Sequence, residues 1–377
     1  MICDRGAFVV DSSAVDSLDN TVSYEGTGGI LYGQFFSWCW PSGRVVRNSI
    51  DHCGRTAIGC RGGLDSPMDV RDNTITGGAD SWGIQCEGEQ DSIEGNTIRG
   101  VGPCAGFIGI WVACPVTCGS PTIKGNTIVG CAAGGIVCRT GTSPTIDGNT
   151  FDGNSAPDGG AICLGGVTST VIKNNLFIHN RASGEEDLGG GAIYAEDSEA
   201  RIVNNTFVEN CVGTLTEGGS FPAPGSDIWA DVELEAFGGA VHVTGPNQTT
   251  RRVTLVNNIF YDNRAGEGDG VAGTAYGLAD VSYCAAYRVT DPPGSQSNNY
   301  THSANSECNP GTGLLYLDPS FSNPAAGYYW LQSSSGARGQ GTTLTYNTSD
   351  INGFPRPGTD SAYDMGAYES EYYDTPN

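Results

Sequence analysis

The chain has 377 residues, of which 18 are basic and 42 acidic, and its net charge of −24 disfavours nucleic acid and polyanionic sugars as partners. Charged residues make up only 16% and no apolar run is long enough to cross a bilayer, so neither a coiled coil nor a transmembrane segment is expected. Fourteen cysteines in an acidic chain favour an oxidising compartment, and we expect an extracellular or cell-surface location. A neutral glycan is compatible with this charge, whereas an acidic polysaccharide would need bridging cations.

The first residues, Met1 to Val10, show no basic segment followed by an apolar stretch. A secretory signal peptide carries both features. We therefore expect the chain to begin either as a mature protein or as a truncated one.

An asparagine with an apolar residue two positions later recurs along the chain, and the residue between them is small in most copies. Successive members are separated by 25, 23, 30, 23, 26, 30 and 53 residues, and a core period near 23 with insertions predicts a solenoid. Asparagine tolerates the left-handed backbone of a tight bend, and its amide can bond to the same residue one coil away. The members of this structural column are Asn48, Asn73, Asn96, Asn126, Asn149, Asn175, Asn205 and Asn258.

Between these asparagines the sequence alternates with a period of two, and residues 121–138 show three short strands in one coil. Apolar residues at matching positions predict two inward columns. The first is Ile50, Ile75, Ile98, Ile128, Phe151, Phe177, Phe207 and Phe260, and the second is Ile58, Ile84, Ile110, Ile136, Ile162, Ile193 and Val241. We predict an all-β, right-handed parallel β-helix over residues 1–282, with coils about 4.8 Å apart.

Two further motifs carry a resemblance. Gly-Gly-Ala-Ile or Gly-Gly-Ala-Val at 159–162, 190–193 and 238–241, and Phe-x-x-Asn at 151–154, 177–180, 207–210 and 260–263, resemble the repeats of chlamydial polymorphic outer-membrane proteins. The segments 318–321, 350–357 and 364–369 are similar to the end of bacterial secreted β-helix proteins with varied C-terminal anchors. The resemblance covers about residues 48–369 and implies a secreted or surface-displayed scaffold of adhesin-like character.

One outer face of the predicted helix is the candidate carbohydrate-binding surface. Strand alternation places two rows of side chains there, and Trp111 and Tyr194 are expected to stack on sugar rings. The alternative is that they are ordinary sheet positions, where aromatic residues are favoured by strand propensity alone. The candidate binding residues are Gln85, Trp111, Tyr194 and His242 in the first row and Arg61, Glu87, Arg139 and Glu196 in the second.

These two rows contain no set of residues with the spacing of a known type of catalytic site. The nearest carboxylates, Glu87 and Glu196, lie four coils apart, too far for the carboxylate pair of a glycosidase. His242, beside Arg251 and Arg252 in sequence, is the best single base, but a lone strand histidine is usually structural. We therefore predict no catalytic residue and leave open whether the chain is an enzyme; if it is one, a polysaccharide lyase or glycoside hydrolase is expected.

The cysteines are expected to serve structure rather than metal binding. Cys60, Cys86 and Cys138 fall in one inward column, which favours a buried thiol or disulfide ladder over zinc. Cys284 and Cys308 flank an irregular segment that a disulfide between them would close. We predict no metal site and no cofactor, although acidic loops could hold Ca²⁺.

Two irregular regions interrupt the repeat. A long insertion at about residues 212–237 is a candidate binding loop through Phe221, Trp229 and Phe237, or else these rings pack back onto the coil. Residues 283–377 are expected to form an irregular C-terminal cap over the last coil.

The leading hypothesis is a carbohydrate-associated scaffold that binds an extracellular polysaccharide or cell-surface glycan without turning it over. An enzyme on the same fold is the first alternative, because fold does not decide function. A filament or sheath subunit that associates end to end is the second, since open strand edges would permit it.

Overall fold

The computed structural model describes residues 8–10, 15–19, 21–26, 30–32, 43–53, 56–60, 67–77, 82–100, 106–113, 119–183, 189–215, 232–234, 237–245, 251–265, 271–274, 278–287, 300–302, 307–358 and 361–374. Within these residues the only helices are two short 3₁₀ turns, Pro324–Ala326 and Ser370–Tyr373. Nearly all regular structure is β-strand, as the period-two pattern predicts. The predicted Arg61, Phe221 and Trp229 lie outside the described residues.

Three parallel sheets of eleven strands form the faces of a solenoid, and each coil contributes one strand to each sheet. The first sheet contains Phe8–Val10, Ile30–Tyr32, Thr56–Cys60, Trp82–Cys86, Ile108–Val112, Ile136–Cys138, Ile162–Gly165, Ile193–Glu196, Val241–Thr244, Val271–Thr274 and Tyr300–His302. The second contains Val15–Leu18, Gly43–Val46, Met68–Arg71, Ser92–Glu94, Thr122–Lys124, Thr145–Asp147, Thr170–Lys173, Ala200–Val203, Val253–Val256, Leu278–Ser282 and Glu307–Pro310. The third contains Thr21–Gly26, Ser49–Cys53, Thr74–Gly77, Thr97–Gly100, Thr127–Val129, Thr150–Asp152, Leu176–Ile178, Thr206–Val208, Ile259–Tyr261, Ala285–Tyr287 and Leu315–Tyr316.

Both predicted apolar columns are confirmed by the strand register. In the first sheet Ile58, Ile84 and Ile110 are direct partners, and the register continues to Val241. In the third sheet the column changes from isoleucine to phenylalanine at Phe151, and the four phenylalanine rings stack at centroid distances of 4.7 to 5.0 Å. All these side chains are buried, so the core is a continuous stack along the solenoid axis.

The asparagine column is a buried hydrogen-bond ladder. From Asn48 to Asn205, each backbone N–H and each side-chain amide donates to the Oδ1 of the next asparagine, at 2.8 to 3.0 Å. Cys284 takes the next position, where it accepts from the backbone N–H of Asn258 at 3.3 Å. A second ladder joins Asn154, Asn180, Asn210 and Asn263, the last residues of the Phe-x-x-Asn motifs.

The Gly-Gly-Ala motif marks a close approach of two chain segments. A short fourth sheet of Ser155–Ala156, Arg181–Ala182, Cys211–Leu215 and Val232–Leu234 runs beside the turn before the first sheet. A Cβ atom on Gly191 would lie 2.2 Å from the Gly239 carbonyl oxygen and 2.6 Å from the Cys211 nitrogen. Only glycine fits there, which explains the motif in physical terms.

Residues 283–377 do not form the single irregular cap over the last coil that was predicted from the sequence. Ala285–Tyr287, Tyr300–His302, Glu307–Pro310 and Leu315–Tyr316 extend the three sheets, so the coils continue past residue 282. After them Phe321–Asn323 and Tyr328–Leu331 pair antiparallel. Phe321, Tyr329 and Leu331 pack against the outer surface of the third sheet rather than over its last coil, because Leu176, Ile178, Val208 and Ile259 make that surface apolar.

Buried polar groups hold this tail (residues 318–374) on the flank of the coils. Asn347 is fully buried and donates at 3.0 Å to the Oδ1 atoms of Asn174 and Asn204, which have left-handed backbone angles in successive coils. Arg356 Nη1 donates to Glu369 Oε2 at 2.8 Å, and Nη2 donates to the Gly366 carbonyl oxygen at 2.8 Å. The Asn347 contacts join the tail to coil residues more than a hundred positions away, whereas the Arg356 contacts lie within the tail.

Candidate functional site

The predicted outer row of the first sheet has the expected register. Gly59, Gln85, Trp111, Val137, Cys163, Tyr194 and His242 are successive partners across the strands. Glu87 and Glu196 lie four coils apart, as predicted, because four strand steps separate Gln85 from Tyr194. Within the row, exposure to solvent differs from residue to residue.

Two tryptophans and an arginine form the centre of the solvent-accessible part of this outer face. The Trp82 and Trp111 rings stack with their centroids 5.7 Å apart and an angle of 28° between their planes. The Arg139 guanidinium lies 4.9 Å from the Trp111 ring centroid, a cation–π contact. Both tryptophans are half-buried and Arg139 is exposed, so parts of the ring faces meet solvent.

Trp82 was missed by the sequence prediction for a specific reason. It precedes the inward Ile84 by two residues, so strict alternation would place it inside. Gly83 lies between them, and a Cβ there would fall 2.5 Å from the Gly109 carbonyl oxygen. The same glycine precedes Ile110 and Ile136 in the next coils, and this repeated glycine was the available signal that alternation breaks at this point.

Gln85 and Glu87 make a polar edge beside the tryptophans. Gln85 Nε2 donates to Glu87 Oε1 at 2.7 Å, and Gln85 Oε1 accepts from Thr56 Oγ1 at 3.4 Å. Gln85 is buried and Glu87 is half-buried. Gln85 therefore orients the Glu87 carboxylate rather than contacting a ligand itself.

The half of the predicted row that contains Tyr194 and His242 is shielded from solvent. Tyr194 is 6% and His242 0% exposed, and the His242 ring lies 5.4 Å from Tyr194 and 5.7 Å from Phe237. Burial lowers the pKa of His242 to about 3. Tyr194 thus offers no face to a sugar and His242 is no surface base, because Phe237 packs back onto the coil. Arg251 and Arg252, the neighbours expected for His242, pair instead with Asp197 and Asp280.

Acidic groups lie near Cys163 along the same face. Asp158, in the turn before Ile162–Gly165, has its pKa raised by burial and by the neighbouring Glu196 carboxylate. Its Oδ1 atom is buried and accepts no hydrogen bond from the described residues. Burial, with Asp158 close by, raises the pKa of the Cys163 thiol to about 11, so this thiol is protonated at neutral pH. Asp158 stands in an irregular turn, and no periodic signal in the sequence pointed to it.

The cysteine column has the predicted register and contains thiols. Cys60 pairs with Cys86, Cys86 with Val112, and Val112 with Cys138. All eight cysteines whose side chains are described are free. The expected bridge between Cys284 and Cys308 is absent from the structure, because Cys284 occupies the end of the asparagine ladder and Cys308 pairs in register with Ala279.

Residues 65–228 match a family model described as a right handed beta helix region. The fold is a right-handed parallel β-helix. The comparison with curated proteins gave no significant match. Among solved structures, a tailspike protein mutant of E. coli bacteriophage HK620 in complex with a pentasaccharide is similar to this β-helix, with 13% identity and a TM-score of 0.35. The match covers 80% of this chain and 60% of the tailspike chain, so the β-helix spans about three fifths of the tailspike's length.

Within the described part of the β-helix, no helix is both long enough and apolar enough to span a membrane.

Proposed function

We propose that the β-helix is an extracellular or cell-surface scaffold that binds a glycan along the outer strip, defined as Trp82, Glu87, Trp111, Arg139 and Glu196. The observation that carries the proposal is the stacked pair of Trp82 and Trp111 with Arg139 over one ring. Half-exposed tryptophans offer apolar faces to sugar rings, and charged groups beside them can bind hydroxyls.

The dimensions of the strip suit an extended ligand. From the coil of Trp82 to that of Glu196 the strip covers five coils, or about 19 Å at the usual spacing of neighbouring strands. The backbone ladders and the stacked core hold these side chains on a rigid surface, which reduces the ordering cost of binding. The net charge of −24 favours a neutral glycan, or an acidic one only with a bridging cation such as Ca²⁺.

The test is a binding screen of the purified chain against neutral and acidic polysaccharides, with and without Ca²⁺. For a glycan that binds, Trp111→Ala should weaken affinity at least about tenfold, or 1.4 kcal/mol. Tyr346→Ala is the matched control, since Tyr346 is 44% exposed and lies under Arg201 at 5.7 Å on another face. Equal effects of the two substitutions, or no glycan bound at all, would contradict the proposal.

Hydrolysis of the bound glycan is the second candidate function, and the raised pKa of Asp158 beside Glu196 favours it. Two carboxyl groups with different environments can act as acid and as base or nucleophile at a glycosidic bond. The same screen therefore records new reducing ends. If they form, Asp158→Asn should reduce their rate at least about a hundredfold while leaving binding intact. An unchanged rate excludes Asp158 as the acid.

A further inference from the structure

A compact group of metal-binding atoms is buried at one corner of the β-helix, where Cys86 directly precedes Glu87 of the outer strip. Cys60 and Cys86 end adjacent strands of the first sheet, and Asp91 immediately precedes Ser92–Glu94 of the second sheet. One ligand atom from each residue lies within 4.8 Å of the other two, and all three residues are buried. The chain therefore brings two thiols and a carboxylate together where the two sheets meet.

The spacing of one pair of these atoms suits tetrahedral coordination, and the other two pairs lie within 4.8 Å. Zinc binds cysteine sulfur at about 2.3 Å and carboxylate oxygen at about 2.1 Å, which places such ligands about 3.6 Å apart in a tetrahedron. The distance from Cys86 Sγ to Asp91 Oδ2 is 3.6 Å. The Gln85 carbonyl oxygen lies 3.4 Å from Cys60 Sγ, so a further oxygen is available in the same neighbourhood.

Neighbouring contacts hold the carboxylate in position. Asp91 Oδ1 accepts from the backbone N–H of Met68 at 2.8 Å, which leaves Oδ2 directed toward Cys86. A Cβ on Gly88 would lie 2.0 Å from Asp91 Oδ2, so the turn at Gly88 makes room for this carboxylate. Such outer contacts orient metal ligands in proteins.

Both thiols of this corner have raised pKa values. Hydrogen bonding to Cys86, followed by burial, raises the pKa of Cys60 well above its ordinary value, and the pKa of Cys86 is also raised. A divalent cation would displace the thiol protons and offset two of the three negative charges of the two thiolates and the carboxylate. Because the group is enclosed, the ion would enter during folding.

We propose that Cys60, Cys86 and Asp91 form a structural zinc site that joins the first two sheets. Zinc binding at this site does not depend on glycan binding. Cys138 provides a matched control, because it continues the same inward column and is equally buried but lies outside the group.

The test is refolding of the denatured, reduced chain with one equivalent of Zn²⁺ or with a chelator, followed by desalting and elemental analysis. Wild type and Cys138→Ser should each retain one zinc more than Cys86→Ser and Asp91→Asn, and zinc should raise the melting temperature of the first two only. Refolding of the wild type with Co²⁺ adds a readout without substitution, since thiolate ligands give an intense near-ultraviolet charge-transfer band.

Two results would overturn the proposal. One is equal zinc content in wild type and in Cys86→Ser, together with no Co²⁺–thiolate band. The other is recovery of Cys60 and Cys86 as a disulfide in a non-reduced peptide map of protein refolded in air with zinc. If both ligand variants fail to fold, the Co²⁺ spectrum of the wild type decides.

Discussion

At the residue scale, the charge of one histidine depends on the coil structure around it. His179 has a left-handed backbone angle of 53° and lies between Asp152 and Glu209 of the neighbouring coils, at 3.4 and 3.2 Å. Burial opposes protonation of the ring, but the hydrogen bonds and charges of both carboxylates outweigh it and raise the pKa to about 9. The imidazolium therefore bridges three coils at neutral pH.

His179→Gln should destabilise the protein in a pH-dependent way. The folded pKa of about 9 is higher than the unfolded value near 6.5, so the stabilisation is fully present below pH 6.5 and is lost as pH rises through 9. A difference of this size corresponds to on the order of 3 kcal/mol. Urea unfolding of wild type and variant at pH 6 and pH 10 measures this difference in the free energy of unfolding. A stability difference that does not shrink at pH 10 would show that the histidine charge contributes nothing.

At the scale of the element, the asparagine ladder determines how one coil sits on the next. Asn126 accepts from the backbone N–H and the side chain of Asn96, and donates to Asn149 and to the Ile93 carbonyl oxygen. Each ladder residue therefore serves the coils on both sides. Loss of one side chain leaves several buried polar groups without their partners.

Asn126→Ala should lower the free energy of unfolding by about 3 kcal/mol, because the donors of Asn96 and the Ile93 carbonyl stay buried without a replacement. Lys124→Ala is the control, two residues away and exposed, and should change stability by less than about 0.5 kcal/mol. Equilibrium denaturation of both variants provides the comparison. Similar losses for the two would mean that the ladder does not stabilise the coil stack.

At the scale of the whole molecule, the tail and the coils form one packed unit. The outer surface of the third sheet is apolar where the tail lies on it, and Arg356 and Glu369 form a buried pair within the tail. Breaking a buried ion pair by removing one partner costs about 3 to 5 kcal/mol, because the other charge remains buried.

Arg356→Ala should therefore loosen the tail while the coils stay folded. Limited proteolysis with mass spectrometry should show faster cleavage within residues 318–374 than in wild type. Arg47→Ala is the control, because Arg47 forms an exposed pair with Asp19 at a similar distance of 2.7 Å and should leave the cleavage pattern unchanged. Wild-type resistance in Arg356→Ala would show that the buried pair is not needed to hold the tail on the coils.

The architecture of each coil can be predicted from the amino-acid sequence. Period-two alternation and the repeated asparagine predict which residues of neighbouring coils become partners, because each coil repeats the same local rules. The inward columns and the outer row therefore follow from spacing alone. The sequence also indicates the apolar outer surface under the tail, since the strand Leu176-Phe177-Ile178 is apolar on both faces.

The accessibility of the outer residues, in contrast, depends on contacts that form only in the folded chain. Tyr194 and His242 share the row of Trp111 but are buried where Phe237 folds back, and Trp82 joins Trp111 because a glycine breaks the alternation. Asp91 and Asp158 stand in turns, where no period applies. The physical reason is the same throughout: repeated spacing encodes contacts between successive coils, whereas loops, turns and the tail make contacts that no repeat encodes.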